Sequence, residues 1–220
     1  MAKRPRPNLT LEMILDAAAA VMERDGYDGL TMRAVARELQ VQAPALYWYV
    51  KDKQALELAL YDHLQIDLNF APVGDDWRLD MRRMGQELRR HMLSHRDIGR
   101  LLPHGFFFAP VSAARMDVVI GLLLGAGLSP RDAFYAFSTG FTYVANWAMG
   151  EAEMRRRPRG VRPGLDAQAK ALIASGALPN FALSVGAFSF DADYDEQFLF
   201  GLNALIAGFE RLIVQDRRGP

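Results

Sequence analysis

The chain has 220 residues, half of them hydrophobic, enough for a sizeable core in one large or two small domains. Its 26 basic and 26 acidic residues cancel, which argues against a polyanion-coating protein and requires any DNA-reading surface to be local. There is no cysteine, which excludes disulfides, thiolate catalysis and Cys-based zinc sites.

The start, Met1-Ala2-Lys3-Arg4-Pro5-Arg6-Pro7, has the charge of a signal peptide, but Glu12 and Asp16 interrupt the apolar run a signal requires. Residues 3–6 read either as a basic arm beside DNA or as a plain tail. From there helical periodicity dominates and two-residue alternation is absent, so an all-α fold is expected. Thr10 caps a first helix whose apolar positions Leu11, Ile14, Leu15, Ala18, Val21 and Met22 recur at three- and four-residue steps. Gly26 stops it and Gly29 keeps the connection tight. Thr31 caps a short second helix, Met32 to Leu39, and Val41-Gln42 turns the chain. Pro44 suits the first turn of a third short helix ending near Tyr49. Lys51-Asp52-Lys53 opens a fourth helix reaching Leu68.

Asp75-Asp76 precede a helix to about Leu93, and Pro103 and Pro110 break the stretch that follows. Met116 to Gly125 is helical and closed by Gly127. Ser129-Pro130-Arg131-Asp132 combines a cap, a first-turn proline and an acid where the helix dipole favours one, and starts a helix to about Met149. Arg155 to Gly164, with five arginines, two prolines and two glycines, reads as a loop. A last helix spans Asp195 to about Gln215. The longest apolar run, Val118 to Leu128, is too short for a bilayer and holds three glycines, so the chain reads as cytoplasmic.

Residues 31–53 carry the most information. Val35, Leu39, Leu46, Val50 and Leu56 are placed to face inward. Tyr47, Trp48 and Tyr49 are consecutive, and consecutive helical positions point in different directions, so one or two of them face out. Tyrosine hydroxyls beside Lys51 and Lys53 suit phosphate oxygens that dock a helix in the major groove. A core or partner-packing role is the plainer alternative for such a triplet; the spacing, caps and flanking lysines favour DNA.

The words Gly-Leu-Thr-Met-Arg-Ala-Val-Ala at 29–36 and Ala-Pro-Ala-Leu-Tyr-Trp-Tyr-Val-Lys-Asp-Lys-Gln-Ala-Leu at 43–56 resemble the DNA-binding domain of the tetracycline-repressor (TetR) family. Weaker likeness continues through Trp77, Leu93-Ser94-His95-Arg96-Asp97, residues 127–133, residues 198–202 and Gly208-Phe209-Glu210. The resemblance implies an N-terminal helix-turn-helix domain over 1–56 and a C-terminal helical ligand-binding and dimerisation bundle over 57–220. It implies Arg33 on a guanine edge, with Thr31 at the same helix start, and Ala43, Pro44 and Ala45 facing bases. Tyr47, Tyr49 and Lys53 match phosphate-contact positions, and Trp48 a position against the DNA face. Alanines stand at 43 and 45 where tetracycline-responsive members have glutamine and threonine, so a different, near-palindromic operator is expected. The resemblance also implies a homodimer joined by residues 130–149 and 195–215, with Phe198, Leu202, Leu205, Ile206 and Phe209 as the seam.

Met, Phe and Trp concentrate in the middle of the chain, where an apolar pocket between helices is a reasonable expectation that the resemblance strengthens. Its expected residues are Asn69, Met84, Leu88, Leu102, His104, Phe141, Thr142, Asn146 and Trp147. The metal-binding histidines of the tetracycline-responsive members align with Asn69 and Leu102, and a drug-holding asparagine with Met84. That points to a more apolar effector, aromatic or polyketide-like, with no metal and no cofactor. His91 and His95 share a helix face at a metal-like spacing but lack a third ligand, so boundary histidines are the simpler account. The expected function is a repressor released by its effector through differential affinity for two conformations, with the helix from Lys53 as lever. The alternative is a DNA-binding protein without small-molecule input, which a fully packed C-terminal body would favour. No phosphate loop, nucleophile elbow or acid cluster with metal spacing supports an enzyme; Asp191, Asp193, Asp195 and Glu196 precede a helix and read as its caps.

Overall fold

A computed structural model describes residues 9–102, 109–156, 167–187 and 194–216. Among them every regular element is helical: α1 (Leu11–Asp25), α2 (Met32–Glu38), α3 (Lys53–Leu64), α4 (Trp77–Ser94), α5 (Pro110–Ala126), α6 (Pro130–Arg156), α7 (Ala167–Ala174), α8 (Pro179–Ala187) and α9 (Tyr194–Asp216). Short 3-10 turns lie at Tyr27–Gly29, Ala43–Trp48 and Ile98–Leu101. None of the described helices is long and apolar enough to cross a membrane.

Local capping starts the helices where the sequence places it. Thr10, Thr31 and Asp52 accept from the backbone N–H groups of Met13, Ala34 and Ala55, satisfying donors that the first turn leaves unpaired. Ser129 does the same for Asp132 at the head of α6. Gly127 ends α5 in the left-handed conformation, φ 110°, which glycine adopts without penalty.

Four expectations about helix type and extent need correction. The third helix is a 3-10 turn, its bonds running from Ala45 N to Gln42 O and from Tyr49 N to Leu46 O. The fourth, α3, ends at Leu64 rather than Leu68, because Ile66 and Leu68 close back in single turns. α5 starts six residues earlier than Met116, at Pro110, and α6 runs seven beyond Met149, to Arg156. The loop expected over 155–164 therefore begins inside α6, and its remainder lies outside the described residues. α7 and α8 have no counterpart in the sequence reading.

The N-terminal core joins α1, α2 and α3. Ile14, Ala18, Val21, Leu30, Val35, Leu46 and Leu56 are wholly buried, Val50 nearly so, and Leu39 partly. Behind it α4, α6 and α9 pack around Phe198, which is completely buried. Arg89 of α4 crosses this second core. Its Nε meets Glu151 Oε2 of α6 at 2.7 Å and its Nη1 meets Asp195 Oδ1 of α9 at 2.6 Å, with the guanidinium 4.7 Å over the Phe198 ring. Four of the five side chains expected at the dimer seam need correction here. Phe198, Leu202, Ile206 and Phe209 are buried within their own chain, leaving only Leu205 partly accessible.

Candidate functional site

The candidate DNA-reading face is built on α2 and the 3-10 turn after it. Thr31 spends its hydroxyl on the α2 cap, which leaves Arg33 exposed in the first turn of that helix. Leu46 anchors the following turn in the core, so its neighbours project outward. Pro44 is exposed, with Ala43 and Ala45 half-buried on either side. Tyr47 is 52 % exposed, Trp48 90 % and Tyr49 43 %. An indole left almost wholly in water forgoes the burial free energy that large aromatic side chains ordinarily contribute.

Two members of the expected phosphate set are engaged inside the chain. The Tyr49 hydroxyl donates to the Leu9 carbonyl and ties down the segment before α1. Lys53 Nζ lies 3.3 Å from Glu57 Oε1 and 4.7 Å over the Tyr27 ring. Tyr27 also stacks on the guanidinium of Arg100 at 4.3 Å. Arg100 in turn grips Asp28 with two bonds of 2.9 Å, which hold that carboxyl below its usual range. Beside it Asp97, in the left-handed conformation with φ 58°, accepts from the Tyr27 amide and from Arg156. Partial burial opposes the Asp97 charge, but these partners outweigh it and the group stays below the usual carboxylate range. The turn Ile98–Leu101 is thereby fixed to the underside of the reading head.

That same turn forms one wall of a cavity of about 810 Å³. Leu88, Leu102, Phe141, Thr142 and Asn146 line it, in line with the sequence reading. Met84 lines a separate void of about 50 Å³ with Leu88 and Phe141. Asn69 and Trp147 are not part of the wall. The Asn69 side chain folds back onto the Ala71 amide, and Trp147 packs beside Tyr143 and Phe198 at centroid distances of 6.0 and 6.2 Å. His104 lies outside the described residues.

The sequence reading missed much of this wall. Phe137, Ser138, Ala145 and Met149 complete the stripe that Phe141, Thr142 and Asn146 begin on α6. Their three- and four-residue spacing was the available signal. Ser112, Arg115 and Met116 come from α5. Tyr27 comes from the turn after α1, Tyr61 and Gln65 come from α3 and its C-terminal cap, and no local pattern marks them. Among the described residues no carboxylate lines the cavity, and most of its surface is carbon. His91 and His95 meet edge-to-face at 4.7 Å, and no cluster of three or more metal-ligating side chains occurs among the described residues.

This architecture has known counterparts. The family model for tetR-family bacterial regulatory proteins matches residues 14–60, and that for the tetracyclin repressor-like C-terminal domain matches residues 71–213. The class D tetracycline repressor of Escherichia coli is 31 % identical over 208 residues, covering 92 % of this chain and 89 % of the repressor. An HTH-type transcriptional regulator of Saccharopolyspora erythraea is 30 % identical over 214 residues, covering 94 % and 89 %. Among solved structures, Streptomyces coelicolor ActR in complex with (S)-DNPA superposes with a TM-score of 0.81 at 26 % identity, covering 93 % of this chain and 98 % of ActR. A minocycline complex of TetR from Acinetobacter baumannii gives 0.72 at 26 %, covering 94 % and 99 %. Members of this group regulate transcription rather than catalyse reactions, and two family models together account for both halves of the molecule. The chain belongs to the TetR family of bacterial transcriptional regulators.

Proposed function

We propose that the protein is a homodimeric repressor that binds a near-palindromic operator and is released by a small, largely apolar, aromatic effector without a metal. One observation carries the reading. The 810 Å³ cavity takes Tyr27 from the N-terminal domain into a wall otherwise built by the effector body, where Tyr61 and Gln65 come from α3 and its C-terminal cap, the helix that links the two. A ligand seated there touches both bodies, and differential affinity for two arrangements then changes the spacing of the reading heads. The alternative of a regulator with no small-molecule input called for a fully packed body, and a void of this size weighs against it.

In this reading the DNA-reading unit is residues 1–56 and the effector and dimerisation unit is residues 57–220, with α3 spanning the division. Arg33 reads a guanine edge, Pro44 and its flanking alanines approach bases, and Tyr47 and Trp48 meet the backbone. Leu88, Leu102, Phe141, Thr142 and Asn146 contact the effector. The dimer seam moves to the outward side of α9, where Phe200 is 79 % exposed and Leu212 40 %. Ala204, Ala207 and Gly208 lie on that side too, and a Cβ on Gly208 would meet nothing, which leaves room for close approach of a second helix. ActR is similar in fold and was solved in complex with actinorhodin, and the carbon-rich wall here suits an aromatic compound.

The test has two parts. A duplex is selected from a random-sequence pool with the full-length protein, and its gel shift is titrated with aromatic polyketides, actinorhodin first. Release at micromolar concentration is expected; shifts unmoved by the whole panel refute the effector. Sedimentation of Phe200→Glu should give a monomer that has lost the shift, and an intact dimer refutes the seam.

A further inference from the structure

α5 has no N-terminal cap of its own. Ala109 stands at its N-cap position without a side-chain acceptor, and Pro110 has no N–H to satisfy. The next two N–H groups are nevertheless bonded. Val111 N donates to Asp62 Oδ2 at 3.0 Å and Ser112 N to Asp62 Oδ1 at 2.7 Å. Ser112 Oγ donates to the same Oδ1 at 2.9 Å. Asp62 belongs to α3 and is only 9 % exposed. A carboxylate from one helix thus caps another and faces the positive end of its dipole.

Two further bonds brace the joint. Gln65 Nε2 donates to Ser112 Oγ at 3.0 Å, and Arg115 Nε donates to the Leu68 carbonyl at 2.9 Å. Ser112, Gln65 and Arg115 all line the cavity. α3 begins at Lys53, on the side of the reading head. One helix therefore carries a reading-head lysine at its start and the cap of α5 near its end.

We infer that the Asp62 cap is a latch: with the cavity empty it holds α3 in the DNA-competent position, and an effector seated against Ser112 and Gln65 opens it. Opening strips a buried carboxylate of three donors and leaves two helix N–H groups bare, so neither helix moves alone. The state of the cavity becomes the state of the head through one two-position joint. The inference rests on the effector-responsive reading above. Asp62 touches neither DNA nor effector in it, and acts as a positioning residue.

The test is hydrogen exchange over residues 110–116 in the full-length dimer, free and bound to the selected duplex. Asp62→Asn and Ser112→Ala are compared with His63→Gln, which breaks only the neighbouring 2.9 Å contact to Asp16. DNA should slow exchange there about tenfold in the wild type and in His63→Gln, in step with a coupling of one charge-assisted bond. Asp62→Asn should abolish that difference and weaken duplex binding about tenfold; Ser112→Ala, which removes one donor and leaves the two backbone N–H donors to Asp62 in place, should do so about threefold. Exchange indifferent to DNA in the wild type, or wild-type duplex binding by both variants, overturns the latch. Failure of the effector reading looks different: the exchange difference persists and depends on Asp62, while no compound releases the duplex.

Discussion

Replacing Glu151 by alanine isolates the charge cluster that pins α4, α6 and α9 together. Glu151 is 2 % exposed and meets Arg89 at 2.7 Å and Arg155 at 2.5 Å. Arg89 is 7 % exposed, so the substitution strands a buried guanidinium with Asp195 as its remaining carboxylate partner. Breaking a buried pair from one side costs about 3–5 kcal/mol, and because the Asp195 side chain is well exposed and keeps part of the compensation, the lower end applies, about 3 kcal/mol. For a chain of this size that is a fall in Tm of roughly 6–12 °C. Circular dichroism melts at one fixed protein concentration measure it, since the stability of the proposed dimer would depend on concentration. Glu151→Gln, which keeps shape and loses charge, should fall between. Arg89→Met combined with Glu151→Leu should recover most of the loss, because no charge is then left buried. A Glu151→Ala melt within about 1 °C of wild type refutes the assignment of this cluster as a structural pin.

Gly201→Ala should cost about 1–3 kcal/mol in urea denaturation, because its Cβ would lie 2.3 Å from the Tyr143 hydroxyl, and that ring is held by a 2.8 Å bond to the Phe198 carbonyl. An unchanged midpoint would mean that α9 slides freely. Arg33→Ala should weaken the selected duplex by about 1–3 kcal/mol and relax one base position, whereas Tyr47→Phe should weaken all duplexes alike; gel shifts on a panel of single-base variants separate the two. Burial pushes His91 down to about 4, with His95 and Arg115 adding to the effect. The unfolded chain takes up that proton first, so the contribution of neutral His91 is complete above about pH 6.5 and is lost as pH falls towards 4. Urea midpoints at pH 7.5 and 4.5 should therefore diverge less in His91→Gln than in wild type, and equal divergence counts against a buried neutral His91.

What the sequence revealed follows the range of the interactions. Thr10, Thr31, Asp52 and Ser129 cap helices three residues away, so their roles are visible in a window of four. Leu46 and Val50 flank the aromatic triplet at helical spacing, which made its outward projection foreseeable. The cap of α5 was invisible, because Asp62 reaches it across 49 and 50 residues. The start of α5 was misplaced for the same reason. Periodicity identifies an apolar face but not its partner. Phe198, Leu202, Ile206 and Phe209 read as well for a seam between chains as for the interior of one. Tyr27 and Arg100 were equally hidden, since their meeting depends on how the turn after α4 docks beneath the head.

The placement of Trp48 has an optical consequence. The chain has three tryptophans, and Trp77 and Trp147 are half-buried while Trp48 stands in water. An indole in water emits at longer wavelength than one in a dry environment, so Trp48 supplies the red edge of the protein's intrinsic emission. A duplex docked as proposed would dry that one indole and shift or quench the red edge alone. Trp147, beside Tyr143 and Phe198, reports on the packing of α6 against α9 from the blue side. The unlabelled molecule thus separates its two bodies by colour, and the order in which they respond can be followed on a stopped-flow timescale.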